Sequence, residues 1–195
     1  MPIAPELVTV LLAAGGRSSR FGRDKASFPA RGQTLLDRMA GEAQQVIPDI
    51  LVGLPPQAAT EPDAWAAVRL KYRIIEDTPP GVGPIGCLRA GLAVAKTPWV
   101  LLLAVDLPGL MARDIRHLLE LAEDNHSAVA AAARSTLPEP LCALYHRKLA
   151  PAVERAVQAC RYSMQEILRA GPHQIVPIRG EAVHNMNHPE DIPGD

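Results

Sequence analysis

The stretch Leu7-Val8-Thr9-Val10-Leu11-Leu12-Ala13-Ala14-Gly15-Gly16-Arg17-Ser18-Ser19-Arg20-Phe21-Gly22-Arg23-Asp24-Lys25 passes from apolar to glycine-rich to basic without a break. Leu7 to Leu12 is a continuous apolar run, the pattern of a strand covered on both faces. The small residues Ala13 to Gly16 follow at once, and small residues let backbone N–H groups approach an anion closely. Arg17, Arg20, Arg23 and Lys25 then gather positive charge, opposed by Asp24 alone. A buried strand, a small-residue turn and a basic cluster suit a triphosphate. The loop is not a Walker motif, because Gly22 is followed by Arg-Asp-Lys rather than by Lys-Ser or Lys-Thr.

Outward from this stretch, short apolar runs alternate with helical spacing. Thr34 to Val46 reads as a helix, with Leu35, Leu36, Met39, Ala43 and Val46 on one face. Strands are expected at Ile50 to Val52, Tyr72 to Ile75, Trp99 to Val105, Ala128 to Ala132, Leu141 to Tyr145 and Gln174 to Ile178. Helices are expected at Ile85 to Ala95, Ala112 to Glu123, Leu149 to Ala159 and Met164 to Ala170, with Pro151 in the first turn of the third. Pro55 to Pro62 reads as a surface loop and Pro189 to Asp195 as a polar tail. This order predicts a three-layer α/β/α sandwich around a Rossmann-like, mostly parallel sheet, in one domain spanning residues 1–195. Ligands bind such sheets beyond the carboxyl ends of the strands. Two loops are thereby placed at the site, Ala13 to Lys25 and Asp106 to Gly109.

The chain has 195 residues, 48% of them hydrophobic and only 4% aromatic, so the core is to be built from Leu, Val, Ile and Ala. A net charge of −1 argues against general nucleic-acid binding, which needs a basic excess. Cys87, Cys142 and Cys160 are odd in number and far apart, which fits a reducing compartment better than a disulfide framework. The N-terminus lacks the basic region of a secretory signal, and Trp99 to Val105 is too short to span a bilayer. The expectation is a cytoplasmic protein without membrane or nucleic-acid partners.

Gly81-Val82-Gly83-Pro84-Ile85-Gly86 matches G-x-G-x-x-G, with Asp106 downstream. Five residues, Glu76 to Pro80, separate it from the preceding strand, and three prolines stiffen it, so a nicotinamide site is not indicated. Its expected role is to bring backbone amides at Gly83 to Gly86 near a ligand. Asp106, at the end of the most apolar strand, is placed to recruit Mg²⁺, which takes one or two carboxylates along with phosphate oxygens and water. The pairs His184/His188 and Cys142/His146 fall short of a zinc site, which needs three or four ligands. G-x-S-x-G is absent, which disfavours a serine hydrolase.

With these residues in view, the chain resembles the molybdenum cofactor guanylyltransferase (MobA-like) family, within the nucleotidyltransferase superfamily. Leu11-Leu12-Ala13-Ala14-Gly15-Gly16-Arg17-Ser18-Ser19-Arg20-Phe21-Gly22-Arg23-Asp24-Lys25 resembles its LAGG-x-S-x-R-M-G-x-D-K signature, with Phe21 in place of Met. Glu76-Asp77 and Gly83-Pro84-Ile85 resemble its ED…GPL segment. Val105-Asp106-Leu107-Pro108, Pro140 to Tyr145 and Asn185-Met186-Asn187-His188-Pro189-Glu190-Asp191 resemble its [CT]-D-x-P, PLxALY and N-x-N-T-P-E-D. The likeness runs through nearly the whole chain and implies the nucleotide-diphospho-sugar transferase fold.

The resemblance implies transfer of GMP from GTP to molybdopterin with release of pyrophosphate, using Mg²⁺. Ala13, Ala14, Gly15 and Gly16 would contact the nucleotide, Lys25 would bind phosphate, Asp77 would contact the guanosine half, and Asp106 would hold Mg²⁺. Arg20, Lys25 and Asp106 would act in catalysis, and Asn185 and Asn187 would lie on the pterin side. Transient contact with other molybdenum cofactor proteins is a further expectation. The family often has Asn near the end of the second strand, where this chain has Gly53. Base choice between GTP and CTP, another small phosphorylated acceptor, and a non-catalytic nucleotide- or pterin-binding protein therefore stay open at this point.

Overall fold

The computed structural model describes residues 1–14, 29–30, 33–54, 62–122, 129–134 and 137–184. Seven strands form one sheet in the order β5 (Arg73–Glu76), β4 (Ile50–Leu54), β1 (Val8–Ala13), β6 (Trp99–Ala104), β8 (Leu137–His146), β7 (Val129–Arg134), β9 (His173–Pro177). Of these, β8 alone runs against the others, pairing antiparallel with β6 and β7. β1 is central because Val8 to Ala13 are all buried, as the apolar run requires. It pairs parallel with β4 on one edge and with β6 on the other.

The side chains of β1 divide between two cores by strand alternation. Val8, Val10 and Leu12 face a cluster with Leu36, Met39, Trp65, Ile115 and Leu118. Leu11 and Ala13 face a second cluster with Ile85, Leu88, Val153 and Ile167. The first layer of helices is therefore α1 (Leu35–Gln44), α2 (Pro62–Lys71) and α4 (Ala112–Leu121). The second is α3 (Pro84–Val94), α5 (Ala150–Gln158) and α6 (Met164–Leu168). The expected three-layer α/β/α sandwich is what forms. Thr9 is the polar exception within β1; its hydroxyl donates to Asp49 Oδ2 at 2.7 Å and shares a hydrogen bond with Thr97.

Two elements were not expected from the sequence. Helix α2 opens on Pro62, whose missing N–H costs nothing at a first helical position. Its signal is weak because Trp65 is buried while Leu70 is 91% exposed. A short hairpin, β2 (Pro29–Ala30) and β3 (Gln33–Thr34), leads into α1. Thr34 caps that helix by accepting from the Asp37 backbone N–H at 3.0 Å. β8 is also longer than Leu141 to Tyr145. Its N-terminal part carries Pro138 and Pro140 and pairs with β7 alone, since its ladder to β6 begins at Cys142. A proline is tolerated where one edge of the strand is unpaired. The loop expected at Pro55 to Pro62 falls mostly outside the described residues, as does the tail from Pro189.

The last turn, Gly180–Val183, returns to the carboxyl side of the sheet. Gly109 packs directly on the backbone of Glu181, and a Cβ there would overlap the Glu181 carbonyl oxygen. Backbone cannot retreat as a side chain can, so Gly109→Ala is expected to destabilise by about 3 kcal/mol or more, the upper end of overpacking costs. Gly180→Ala, with open space around its Cα, is the control and is expected to stay within ~0.5 kcal/mol of wild type. Urea unfolding of both variants checks this; equal midpoints would contradict the packing described.

Candidate active site

The carboxyl ends of the three central strands are finished in small residues. Ala13 lies between Gly53 and Ala104 in the ladder, in register with both. These small residues stand where the strand order diverges, the chain leaving β1 for β4 on one edge and leaving β6 for β7 on the other. That is where open α/β sheets receive ligands. The next backbone N–H, of Ala14, donates to the Gly53 carbonyl at 3.0 Å, so the chain is held to the sheet one residue beyond the strand. Ala13, expected at the start of the loop, is instead the last residue of β1, and Ala14 follows it. Gly15, Gly16, Arg20 and Lys25 lie outside the described residues.

Asp106 follows β6 by two residues, on the same lip of the sheet. Its loop is pinned by Leu107 and Leu110, both fully buried. Arg38 of α1 donates to their carbonyl oxygens at 3.4 and 3.0 Å. Among the described residues there is no cluster of three or more His, Cys, Asp or Glu side chains that could enclose a metal. A single carboxylate at the lip of the sheet suits Mg²⁺ in particular, because that ion keeps water and takes phosphate oxygens as its other ligands. The residues present therefore fit the ion that the sequence implied. Cys142 and His146 lie four residues apart along β8, about 13 Å by strand rise, too far to share an ion.

Asp77 begins the loop after β5, beside Gly53. Its carboxyl Oδ1 is sealed from solvent and has no hydrogen-bond partner among the described residues. Burial raises its pKa from 3.8 to about 6, and the Cys87 thiol alongside offsets part of that rise. Burial likewise pushes the Cys87 thiol well up, so it stays protonated. The glycine-rich segment does not present a run of free amides. Gly81 and Gly83 take positive φ of 78° and 79° to turn the chain onto α3. Pro84 has no N–H, and the Gly86 N–H donates to the Gly83 carbonyl at 3.0 Å. The expected ligand contacts from Gly83 to Gly86 are reduced accordingly.

The C-terminal segment is clamped to the Asp106 loop by a pair the sequence reading missed. Arg179 donates to both oxygens of Asp114, at 2.9 and 2.6 Å, and to the Gly109 carbonyl at 3.3 Å. Asp114 is 4% exposed and also accepts from the Met111 N–H, capping α4. The chain leading to Asn185 and Asn187 is thereby anchored beside the Asp106 loop, although both asparagines lie outside the described residues. Arg179 and Asp114 are far apart in sequence and carry no local signal. Gly109, directly after Pro108, was the one visible hint.

The raised pKa of Asp77 has a consequence for stability. The folded protein holds this proton up to about pH 6, whereas the unfolded chain releases it near 3.8. Stability therefore falls as pH rises between these values, and the cost of the ionised buried carboxylate persists above them. Asp77→Asn is expected to melt higher than wild type at pH 7.5, with the advantage fading towards pH 4. Thermal melts across that range check it; a constant difference would contradict the buried, ionisable carboxylate.

Residues 10–175 match the MobA-like NTP transferase domain. A Deinococcus radiodurans protein named "Probable molybdenum cofactor guanylyltransferase" is 33% identical over 189 residues, covering 95% of this chain and 92% of its own. The Pseudomonas fluorescens protein named "Molybdenum cofactor guanylyltransferase" is 29% identical, covering 97% and 95%. Among solved structures, molybdopterin-guanine dinucleotide biosynthesis protein A from Archaeoglobus fulgidus superposes with a TM-score of 0.77 at 21% identity, covering 94% of both chains. With that family model matched over most of the chain and a relative 33% identical along 95% of it, this chain belongs to the MobA-like NTP transferase family.

Proposed function

We propose that the protein transfers GMP from GTP to molybdopterin, forming the guanine dinucleotide cofactor and pyrophosphate. The observation that carries this reading is the placement of Ala13–Ala14 and Asp106 on one lip of the sheet, with Asp77 on the same side, in a chain of this family. An oxygen of the molybdopterin phosphate attacks the α-phosphorus of GTP. A new P–O bond forms, the bond between the α-phosphorus and the bridging oxygen breaks, and pyrophosphate leaves with the electron pair. The attacking group is already an anion, so no side-chain nucleophile is required. Asp106 would hold Mg²⁺, which when bound supplies charge neutralisation at the phosphates. Arg20 and Lys25 would balance charge gathering on the leaving pyrophosphate. Gly15 and Gly16 would extend the nucleotide contact from Ala14, and Asn185 and Asn187 would face the pterin.

Asp77 supports guanine as the base. Above about pH 6 its carboxylate is an acceptor only. Guanine offers two donors on one edge, N1–H and N2–H, either of which the outer oxygen of Asp77 can accept, where cytosine offers only its amino group. The absence of a side chain at Gly53 is what keeps CTP as the second reading. No described helix is long and apolar enough to cross a membrane, and we place the reaction in the cytoplasm, with molybdenum cofactor proteins as transient partners. Lys25, Asp77 and Asp106 are all present, which argues for catalysis over a binding-only role.

Pyrophosphate release measured with molybdopterin, Mg²⁺ and each of GTP, CTP, ATP and UTP tests the assignment. Release is expected with GTP and abolished by chelating the metal. Release with CTP instead would move the base and keep the chemistry; nucleotide binding without release would favour the binding protein. In the same assay Lys25→Ala and Asp106→Ala are each expected to lose a factor of order 10²–10³ in rate. Wild-type rates in both would overturn the roles assigned to them.

A further inference from the structure

Gly53 is the one position in β4 where the strand cannot carry a side chain. A Cβ built there would overlap Cys87 Sγ, while lying 3.6 Å from Cys87 Cβ and 3.6 Å from Asp77 Oδ1. The thiol of Cys87, on the first turn of α3, therefore fills the volume that a residue at 53 would claim. Cys87 is 2% exposed, so this volume is closed to solvent. The same volume borders the sealed Oδ1 of Asp77, which finds no hydrogen-bond partner among the described residues. A buried acceptor of this kind is costly unless a donor can turn towards it. The S–H of Cys87 is the polar group placed to do so.

We infer that Cys87 is a positioning residue for nucleotide recognition: seated in the space vacated at Gly53, its thiol supports the inner oxygen of Asp77 and so fixes the rotamer in which that carboxylate meets the base. The inference rests on the reading of Asp77 as a nucleotide contact. It gives Gly53 a reason that does not involve the ligand directly, because the residue is small to make room for the thiol. It also separates two properties of Cys87, the space it fills and the hydrogen it offers.

Those two properties can be tested apart, using the full-length protein and the pyrophosphate-release assay with GTP. Cys87→Ala removes the hydrogen and leaves Cβ, and is expected to raise KM for GTP about three- to tenfold, the worth of one hydrogen bond from a weak S–H donor, with a smaller change in kcat. Cys87→Ser keeps a donor and is expected to restore most of the loss. Gly53→Ala alone collides with the sulfur and is expected to lower the melting temperature. Gly53→Ala combined with Cys87→Ala relieves the collision, and should recover the melting temperature without recovering KM. A KM that follows the melting temperature through all four variants, or a wild-type KM in Cys87→Ala, would overturn the inference by making Cys87 a packing residue only. Asp77→Ala is the separate check: a wild-type KM in that variant would remove Asp77 from the nucleotide site, and the role of Cys87 with it.

Discussion

Strand β1 is paired along both edges and covered on both faces, and the site follows from that constraint. Its backbone groups are committed to β4 and β6, and its side chains to the two cores. A strand so enclosed can offer chemistry only where it ends. There the ladder closes on three small residues in register, Gly53, Ala13 and Ala104. Asp106 and Asp77 then reach the same lip from β6 and β5, with β1 and β4 between them. Their separation in sequence is bridged by the parallel order, which brings every carboxyl end except that of β8 to one side.

Rigid support is concentrated around the loops that carry these groups. Arg38 holds the carbonyl oxygens of Leu107 and Leu110, and Arg179 ties Gly109 and Asp114 to the returning C-terminal segment. Asp77 is built differently. Its inner oxygen is buried beside a neutral thiol, at a cost to stability whenever it is ionised. A carboxylate held at such a cost gains most when a ligand brings donors to it. Stability given up locally and recovered on binding is a common arrangement at functional sites.

The parts of this architecture that sequence reveals are those written in local patterns. The apolar run of β1, the helical spacing of α1 and the apolar run of β6 with Asp106 just beyond it each declare themselves within a few residues. The missed elements lack such a pattern. Helix α2 buries Trp65 and leaves Leu70 exposed, so its periodicity is faint. The early part of β8 carries prolines that its unpaired edge tolerates. The Arg179–Asp114 clamp and the Gly53–Cys87–Asp77 contact join residues from separate elements, and only the folded chain brings them together. Asp77 was singled out through family likeness rather than through its own surroundings, while Cys87, read as one of three scattered cysteines, gave no sign of its place beside it.

The central claim is that the nucleotide lies over the ends of β1, β4 and β6, with its phosphates towards Asp106 and its base towards Asp77. A crystal structure of the protein with GTP and Mg²⁺ tests it most directly. The account predicts the triphosphate beyond Ala13 and Ala14, the ion on the Asp106 carboxylate, and the guanine edge within hydrogen-bond distance of Asp77. GTP bound instead in the apolar cleft of about 620 Å³ between β5, α3 and α5, lined by Ile74, Leu92 and Val153, would contradict it.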